Sequence, residues 1–290
     1  MNYFRIEKSS PVDFISTSYI PSHMELDRYR PGSVIYTDGG ALMTSDGTTT
    51  HLIAGNSTVR GYREGTGPEA KFKTITEITQ LSEKHVVVVD RGNHVRLIVR
   101  TTHSSSPISG QCGSKGYQDG SPGWFSLPHS VLLDQRDKSQ LLISDTNNKA
   151  VRTMDVNSRV SGTFVMSNSL KAIGYMTQDE KSGDLYVTAI HAVYRIRYLQ
   201  RTVSLSGLGS QADSRDSTLL NSLFTWPHGL IFISHNTLLV ADVNNNKLRL
   251  DDMNADKVTT LNVRPFLNPP YSLLLTKNSL FVGYHGEITQ

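Results

Sequence analysis

Residues 116–154 read GYQDGSPGWFSLPHSVLLDQRDKSQLLISDTNNKAVRTM, and the order of features in this stretch decides the fold. A short apolar run, QLLISD, ends on Asp145. A turn, Thr146-Asn147-Asn148, follows, and the next strand opens at Val151-Arg152. Short β-branched runs bounded by Asp, Asn and Gly are strands joined by tight turns. An unbroken apolar run, rather than an alternating one, marks a strand covered on both faces.

The same order recurs. Residues 61–99 read GYREGTGPEAKFKTITEITQLSEKHVVVVDRGNHVRLIV, and residues 212–250 read ADSRDSTLLNSLFTWPHGLIFISHNTLLVADVNNNKLRL. Phe72 precedes Asp90 by 18 residues, Phe125 precedes Asp145 by 20, and Phe224 precedes Asp242 by 18. Three weaker units share the strand pattern: SVIYTDGGALMTSDGTTTHLIAG near the N-terminus, GDLYVTAIHAVYRIRYL without the aspartate, and the C-terminal YSLLLTKNSLFVGYHGEITQ. Six units at about 48 residues each match the period of four-stranded propeller blades. The expectation is an all-β chain, a six-bladed β-propeller of four-stranded antiparallel blades forming a single domain. The blades fall near 20–56, 61–110, 116–164, 165–207, 212–261 and 266–290. The last unit ends short of its strands, so residues 1–19, through Tyr3–Glu7 and Asp13–Ser18, are expected to complete it and close the ring.

The strings DRGNHV, DTNNKAV and DVNNNKL resemble the Asp-x-x-Asn-His-x-Leu/Ile-Arg signature of NHL repeats, and GYQDGSPGWFSLP resembles the leader of a subset of them. The signature residues are Asp90, Asn93 and Arg96, then Asp145, Asn148 and Arg152, then Asp242, Asn245 and Arg249. The asparagines suit a left-handed residue that reverses the chain. Arg96 follows its aspartate by six residues and the other two arginines by seven, a difference the turn is expected to absorb.

Two histidines stand at equivalent places, His129 in Pro-His-Ser-Val and His228 in Pro-His-Gly-Leu, where an innermost strand begins. In the peptidyl-hydroxyglycine lyase family, another six-bladed NHL-like propeller, such histidines from alternate blades hold zinc, which at a catalytic site takes about three protein ligands. Here the alternate-blade position reads as Gly32 in Pro31-Gly32-Ser33-Val34, and the sixth unit offers Tyr271. With two ligands out of three, channel plugs bonded to water or backbone are the plainer reading. Calcium at turns such as Asp145-Thr146-Asn147-Asn148 is similarly explained by the repeat. The chain is therefore read as needing no cofactor, with zinc or calcium as the alternative. Arg96, Arg152, Arg195 and Arg249 read as braces of the turns, against the alternative of an anion-binding ring. Asn56-Ser57-Thr58 is a glycosylation sequon, and Cys112 sits in a Gly/Ser-rich loop as an incidental thiol.

The net charge of +3, with basic residues spread along the chain, disfavours nucleic acid. One cysteine excludes an internal disulfide. No run approaches the 18 or so apolar residues of a transmembrane helix, and the N-terminus lacks the apolar core of a signal peptide. The chain thus reads as an intracellular protein or as a module of a longer one. No Ser-His-Asp order, phosphate loop or nucleotide fingerprint is present. The functional expectation is a non-enzymatic binding or scaffold propeller presenting loops such as 100–117 and 208–221 to a protein or glycan partner. A module of an extracellular or cell-surface protein is favoured over a cytoplasmic one. The alternatives are a channel-metal lyase or hydrolase using His129 and His228, and an intracellular scaffold or RNA-binding domain.

Overall fold

A computed structural model describes residues 15–206, 211–262, 268–277, 279–285 and 287–289. Tyr3–Glu7 and part of the 208–221 loop lie outside them. After β1 (Ile15–Ser16), one sheet holds β2 (Met24–Leu26), β3 (Val34–Asp38), β4 (Ala41–Ser45) and β5 (Thr50–Gly55). The next holds β6 (Gly65–Thr66), β7 (Ile75–Gln80), β8 (His85–Asp90), β9 (His94–Val99) and β10 (Ser104–Gly110). Then come β11 (Pro128–Leu133), β12 (Gln140–Asp145), β13 (Ala150–Asp155) and β14 (Ser161–Met166). The fourth sheet has β15 (Met176–Gln178), β16 (Leu185–Thr188), β17 (Val193–Ile196) and β18 (Val203–Ser206). The fifth has β19 (Pro227–Ser234), β20 (Thr237–Asp242), β21 (Lys247–Asp252) and β22 (Lys257–Thr260). The last has β23 (Ser272–Leu275), β24 (Leu280–Tyr284) and β25 (Glu287–Thr289).

All pairings within these sheets are antiparallel, and the architecture is an all-β propeller of four-stranded blades. Five sheets have four strands, and the sixth is ordered β6-β10-β9-β8-β7 with a fifth. The expectation of uniform four-stranded blades is corrected there. The leader Gly65-Thr66 is extended enough to pair with Ser105 and Ser104 on the outer edge of its own sheet. The first strands touch in succession, β2 to β7, β11, β15, β19 and β23, and β23 touches β2 again. The last sheet borrows β1 on its outer edge, with Ile15 opposite Ile288.

The run HVVVVD shows why the strands are apolar without alternation. Val86 and Val88 pack with Ile35, Leu42 and Ile53 of the preceding sheet, while Val87 and Val89 pack with Phe125, Val131 and Ile143 of the following one. Successive side chains point to opposite faces, and each face meets a neighbouring sheet. All four valines are fully buried. Each such burial contributes about 1.5–3 kcal/mol.

The signature turns brace this packing. Asp145 accepts the Ser126 N–H (2.7 Å) on one oxygen and Asn148 Nδ2 (2.8 Å) and Arg152 Nη1 (3.0 Å) on the other. Asp242 repeats this with Thr225, Asn245 and Arg249 at 2.8 Å each. Arg152 and Arg249 also donate to the Trp124 and Leu223 carbonyls. Their guanidiniums lie over the rings of Phe125 and Phe224. In the second sheet Arg96 donates to the Lys71 and Arg63 carbonyls and lies 3.9 Å over Phe72. All three arginines are fully buried. The turn absorbs the spacing difference, because Arg96, Arg152 and Arg249 stand opposite Val88, Ile143 and Val240, each two residues before its aspartate.

The expectation for the asparagines needs correction. Only Asn93 is itself left-handed, at φ 73°; Lys149 and Asn246 hold that conformation in the other two turns. There a one-turn 3-10 helix occupies Thr146–Asn148 or Val243–Asn245, and the asparagine side chain ties back to the aspartate. The turn after Asp90 is shorter by a residue. Asn93 instead accepts the Leu127 N–H of the next sheet, and Asp90 Oδ2 has no hydrogen-bonded partner.

The fourth sheet replaces the aspartate with Thr188. Arg195, opposite Tyr186, turns to Asp184 in its absence. The first sheet does keep its aspartate. Asp38 accepts the N–H groups of Ser18 and Tyr19, as Asp145 accepts that of Ser126.

Candidate functional site: the central channel

Register defines which residue each sheet sends to the start of its innermost strand. Pro128 and Pro227 stand opposite Asp145 and Asp242, and Ile75 stands opposite Asp90. His129, His228 and Thr76 therefore occupy one equivalent position. Tyr175, whose carbonyl accepts the Thr188 N–H, fills it in the fourth sheet. Tyr271, whose N–H reaches the Gly283 carbonyl, fills it in the last.

In the first sheet Met24 opposes Tyr36, two residues before Asp38, so the equivalent residue is Ser22. The assignment to Gly32 is corrected accordingly. Val34 begins the second strand, and Gly32 (φ 84°) lies in the turn that leads into it.

These side chains form a belt. His129 packs edge-on to Tyr175 with ring centroids 4.6 Å apart; Tyr175 is 5.4 Å from His228, and His228 is 4.8 Å from Tyr271. Thr76 Oγ1 donates to the His129 carbonyl (2.5 Å), and the Tyr175 hydroxyl bonds Ser22. Burial, with His228 and Arg91 adding to it, lowers His129 to about 3, and burial with Arg91 lowers His228 to about 4, so both imidazoles are neutral. Each leaves Nδ1 buried without a hydrogen-bond partner. Ser22 at the third alternate position is no zinc ligand, and Thr76 and Tyr271 are poor ones. Among the described residues no group of three metal-ligating side chains converges. The belt does not fit zinc. Calcium at Asp145 does not fit either, since protein donors occupy both carboxylate oxygens.

One residue further along, the channel changes character. Glu77, His23 and Ser130 occupy the next equivalent position. His23 Nδ1 is ion-paired with Glu77 Oε1, and its Nε2 lies 3.6 Å from Glu25 Oε1. Gln80 Nε2 donates to Glu25 Oε2 at 2.7 Å. Burial opposes the imidazolium, but Glu77 and Glu25 outweigh it and hold His23 up at about 10. Burial pushes Glu77 up from the usual carboxylate range, with His23 and Ser130 opposing. His23 Nε2 and Glu77 Oε2 are buried without a hydrogen-bond partner.

This group lines a cavity of about 730 Å³ that extends to the turns joining first and second strands, where Arg28, Asp179–Lys181 and His235 stand. Its aliphatic lining is built by Leu230 and Ile231 of β19 and Leu273 and Leu274 of β23. A smaller cavity of about 230 Å³ shares His23, Glu25 and Glu77 and reaches Gln135.

The sequence singled out His129, His228 and Tyr271, and the structure brings them together. It missed His23, Glu25, Glu77 and Tyr175. The signal for His23 was in Pro21-Ser22-His23-Met24, a proline-led start like Pro128-His129-Ser130-Val131 with the histidine one place later. The other candidates lie elsewhere. Asn56 is half-buried in the turn after β5, its Oδ1 accepting the Thr58 and Val59 N–H groups. Cys112 is half-buried near Gly92 and His94, and burial pushes its thiol up, opposite to the shift of a reactive cysteine.

No family model and no curated protein matches the sequence. Solved structures do. An auxiliary nutrient binding protein from Bacteroides ovatus superposes with a TM-score of 0.72 at 11% identity, covering 95% of this chain and 70% of that one. A nidogen/laminin complex gives 0.65 at 11% identity, covering 90% and 87%. A catalytically inactive virginiamycin B lyase from Staphylococcus aureus with quinupristin gives 0.61 at 9% identity, covering 94% and 81%. At such identities the likeness is one of fold.

Proposed function

We propose that the chain is a non-enzymatic binding propeller, NHL-like and six-bladed with the five-stranded sheet counted as a blade, that recognises a protein or glycan partner at its channel mouth. One observation carries the reading: the recurrent arginines, Arg96, Arg152 and Arg249, are fully buried beside their aspartates inside the blades, whereas the charged residues at the channel mouth line an open cavity. The turns of that face also expose large apolar side chains, Tyr29 at 40% and Leu199 at 79%. Structural neighbours that include a nutrient binding protein and a nidogen/laminin complex support binding as the role. A concave site of several hundred Å³ with a few convergent polar groups is the usual form of a ligand site.

The test places a photo-crosslinking residue at Arg136 or Lys181, on the mouth, and at Lys73, on the opposite face. Each variant is presented to secreted and cell-surface protein fractions and to immobilised glycans. Capture through the mouth positions alone is expected. Capture only through Lys73, or turnover of a small-molecule substrate by the parent protein, would overturn the reading.

A further inference from the structure

We infer that the His23–Glu77–Glu25 cluster is a built subsite for a neutral, hydroxyl-bearing ring, a saccharide residue, lodged in the channel cavity. The inference rests on the mouth being a recognition surface and names what its floor accepts. Two buried polar atoms of one ion pair lack a hydrogen-bond partner: His23 Nε2, which has only Glu25 Oε1 at 3.6 Å, and Glu77 Oε2. The first donates when the imidazole is charged, and the second accepts when the carboxyl is ionised. A buried donor or acceptor left unmade costs about 1–3 kcal/mol, so a ligand that supplies the missing partners is favoured.

Charge narrows the class. A cationic group would sit against His23, which its two glutamates keep protonated. An anionic group would sit against Glu25 and Glu77 on the floor, while at the rim Arg28 and Lys181 offset Asp179 and Glu180. A neutral group carrying an adjacent donor and acceptor meets neither repulsion, and neighbouring hydroxyls on a sugar ring provide both. The rest of the cavity then decides between a sugar and a simple amide. Leu230, Ile231, Leu273 and Leu274 give the cavity apolar lining on β19 and β23, strands other than those that carry Glu25 and Glu77. A pyranose has a hydroxyl edge and a C–H face and matches both linings; an isolated carboxamide matches only the polar one. At about 730 Å³ the cavity also exceeds what an amide would fill.

The experiment titrates the whole chain with maltose, cellobiose, lactose and chitobiose, and with acetamide, methylammonium and acetate as controls, by saturation-transfer NMR and calorimetry. At least one disaccharide is expected to bind and the controls not to. Glu77→Gln and His23→Gln should each weaken binding at least tenfold, and Lys73→Ala, on the opposite face, should leave it unchanged. Glu25→Gln, which keeps the His23–Glu77 pair, serves if the other two fail to fold, and should weaken binding measurably. No disaccharide binding, binding indifferent to all three variants, or equal binding of acetamide or methylammonium overturns the inference. If the mouth crosslinks a protein partner while no disaccharide binds, this inference falls and the binding-propeller reading survives.

Discussion

At one level of the channel His23 is held as an imidazolium between Glu77 and Glu25; one residue away along the strands, His129 and His228 are held neutral among tyrosine rings. The three histidines sit near the starts of innermost strands, one residue out of step. That step decides their charge, because it sets whether the neighbour on the adjoining sheet is a carboxylate or an aromatic ring. Like residues in a near-repeat are thus driven to opposite protonation states, the cationic level lined for hydrogen bonding and the neutral level filled by rings.

The largest effect should come from removing the carboxylate that separates the two levels. Glu77→Ala leaves His23 buried without its main counter-charge, and breaking a buried ion pair from one side costs about 3–5 kcal/mol. Urea unfolding at neutral pH should show a loss of this order, and the His23 ring resonances should titrate well below about 10. A His23 that stays protonated in the variant would mean Glu25 alone sets its charge.

The pH dependence separates the two levels without any substitution. His23 is raised above the 6.5 of a free imidazole, so its contribution to stability is fully present below pH 6.5 and is lost as pH rises through about 10. His129 and His228 are lowered, so between pH 6.5 and their folded values of about 3 and about 4 the unfolded chain binds more protons. Stability should therefore fall as pH drops below 6.5. Urea midpoints across pH 4–10 should decline on both sides. His129→Phe with His228→Phe should flatten the acid limb alone, and His23→Gln the alkaline limb alone. An acid limb unchanged in the double variant would assign the loss to other groups, among them His94, which burial lowers to about 4.

How much of this was legible in the sequence follows from which features repeat. HVVVVD, QLLISD and TLLVAD each carry a full strand and its closing aspartate, so the blades and their order could be read directly. The belt was half legible for the same reason, since His129 and His228 share a proline-led context. Tyr175 was hidden because Gly174 stands where the proline would be, and Ser22 because its sheet has a three-residue first strand. That shortness let Val34, the start of the second strand, pass for the first. The His23–Glu77 pair could not be read at all. Its members lie 54 positions apart in unlike contexts, and only the register of the first strands of two adjoining sheets makes them neighbours. The sequence likewise overestimated the asparagines, because a turn one residue longer moves the left-handed position past Asn148 and Asn245.

The corrected position in the first sheet yields a gain-of-function test. If His129 and His228 lack a zinc site only because the third alternate position is Ser22, then Ser22→His should supply it, since three imidazoles with one open position satisfy zinc. Gly32→His, in the outer turn, should not. Metal analysis after dialysis against zinc is expected to show near-stoichiometric metal in the first variant and none in the second. Zinc bound equally by both would mean that the register equating Ser22 with His129 is wrong.

The smallest effect belongs to the join between the levels. Tyr175 spans them: its ring packs between His129 and His228, and its hydroxyl bonds Ser22 beside His23. Burial, with Glu77 adding to it, pushes the phenol far above its ordinary value, so it remains a neutral donor across the accessible range. Tyr175→Phe keeps the ring contacts and removes one neutral hydrogen bond, worth about 1 kcal/mol. If the two levels titrate independently, this variant should lose that much stability at every pH and shift neither limb of the profile. A displaced alkaline limb would instead show that the hydroxyl helps set the charge on His23, and that the channel titrates as one network.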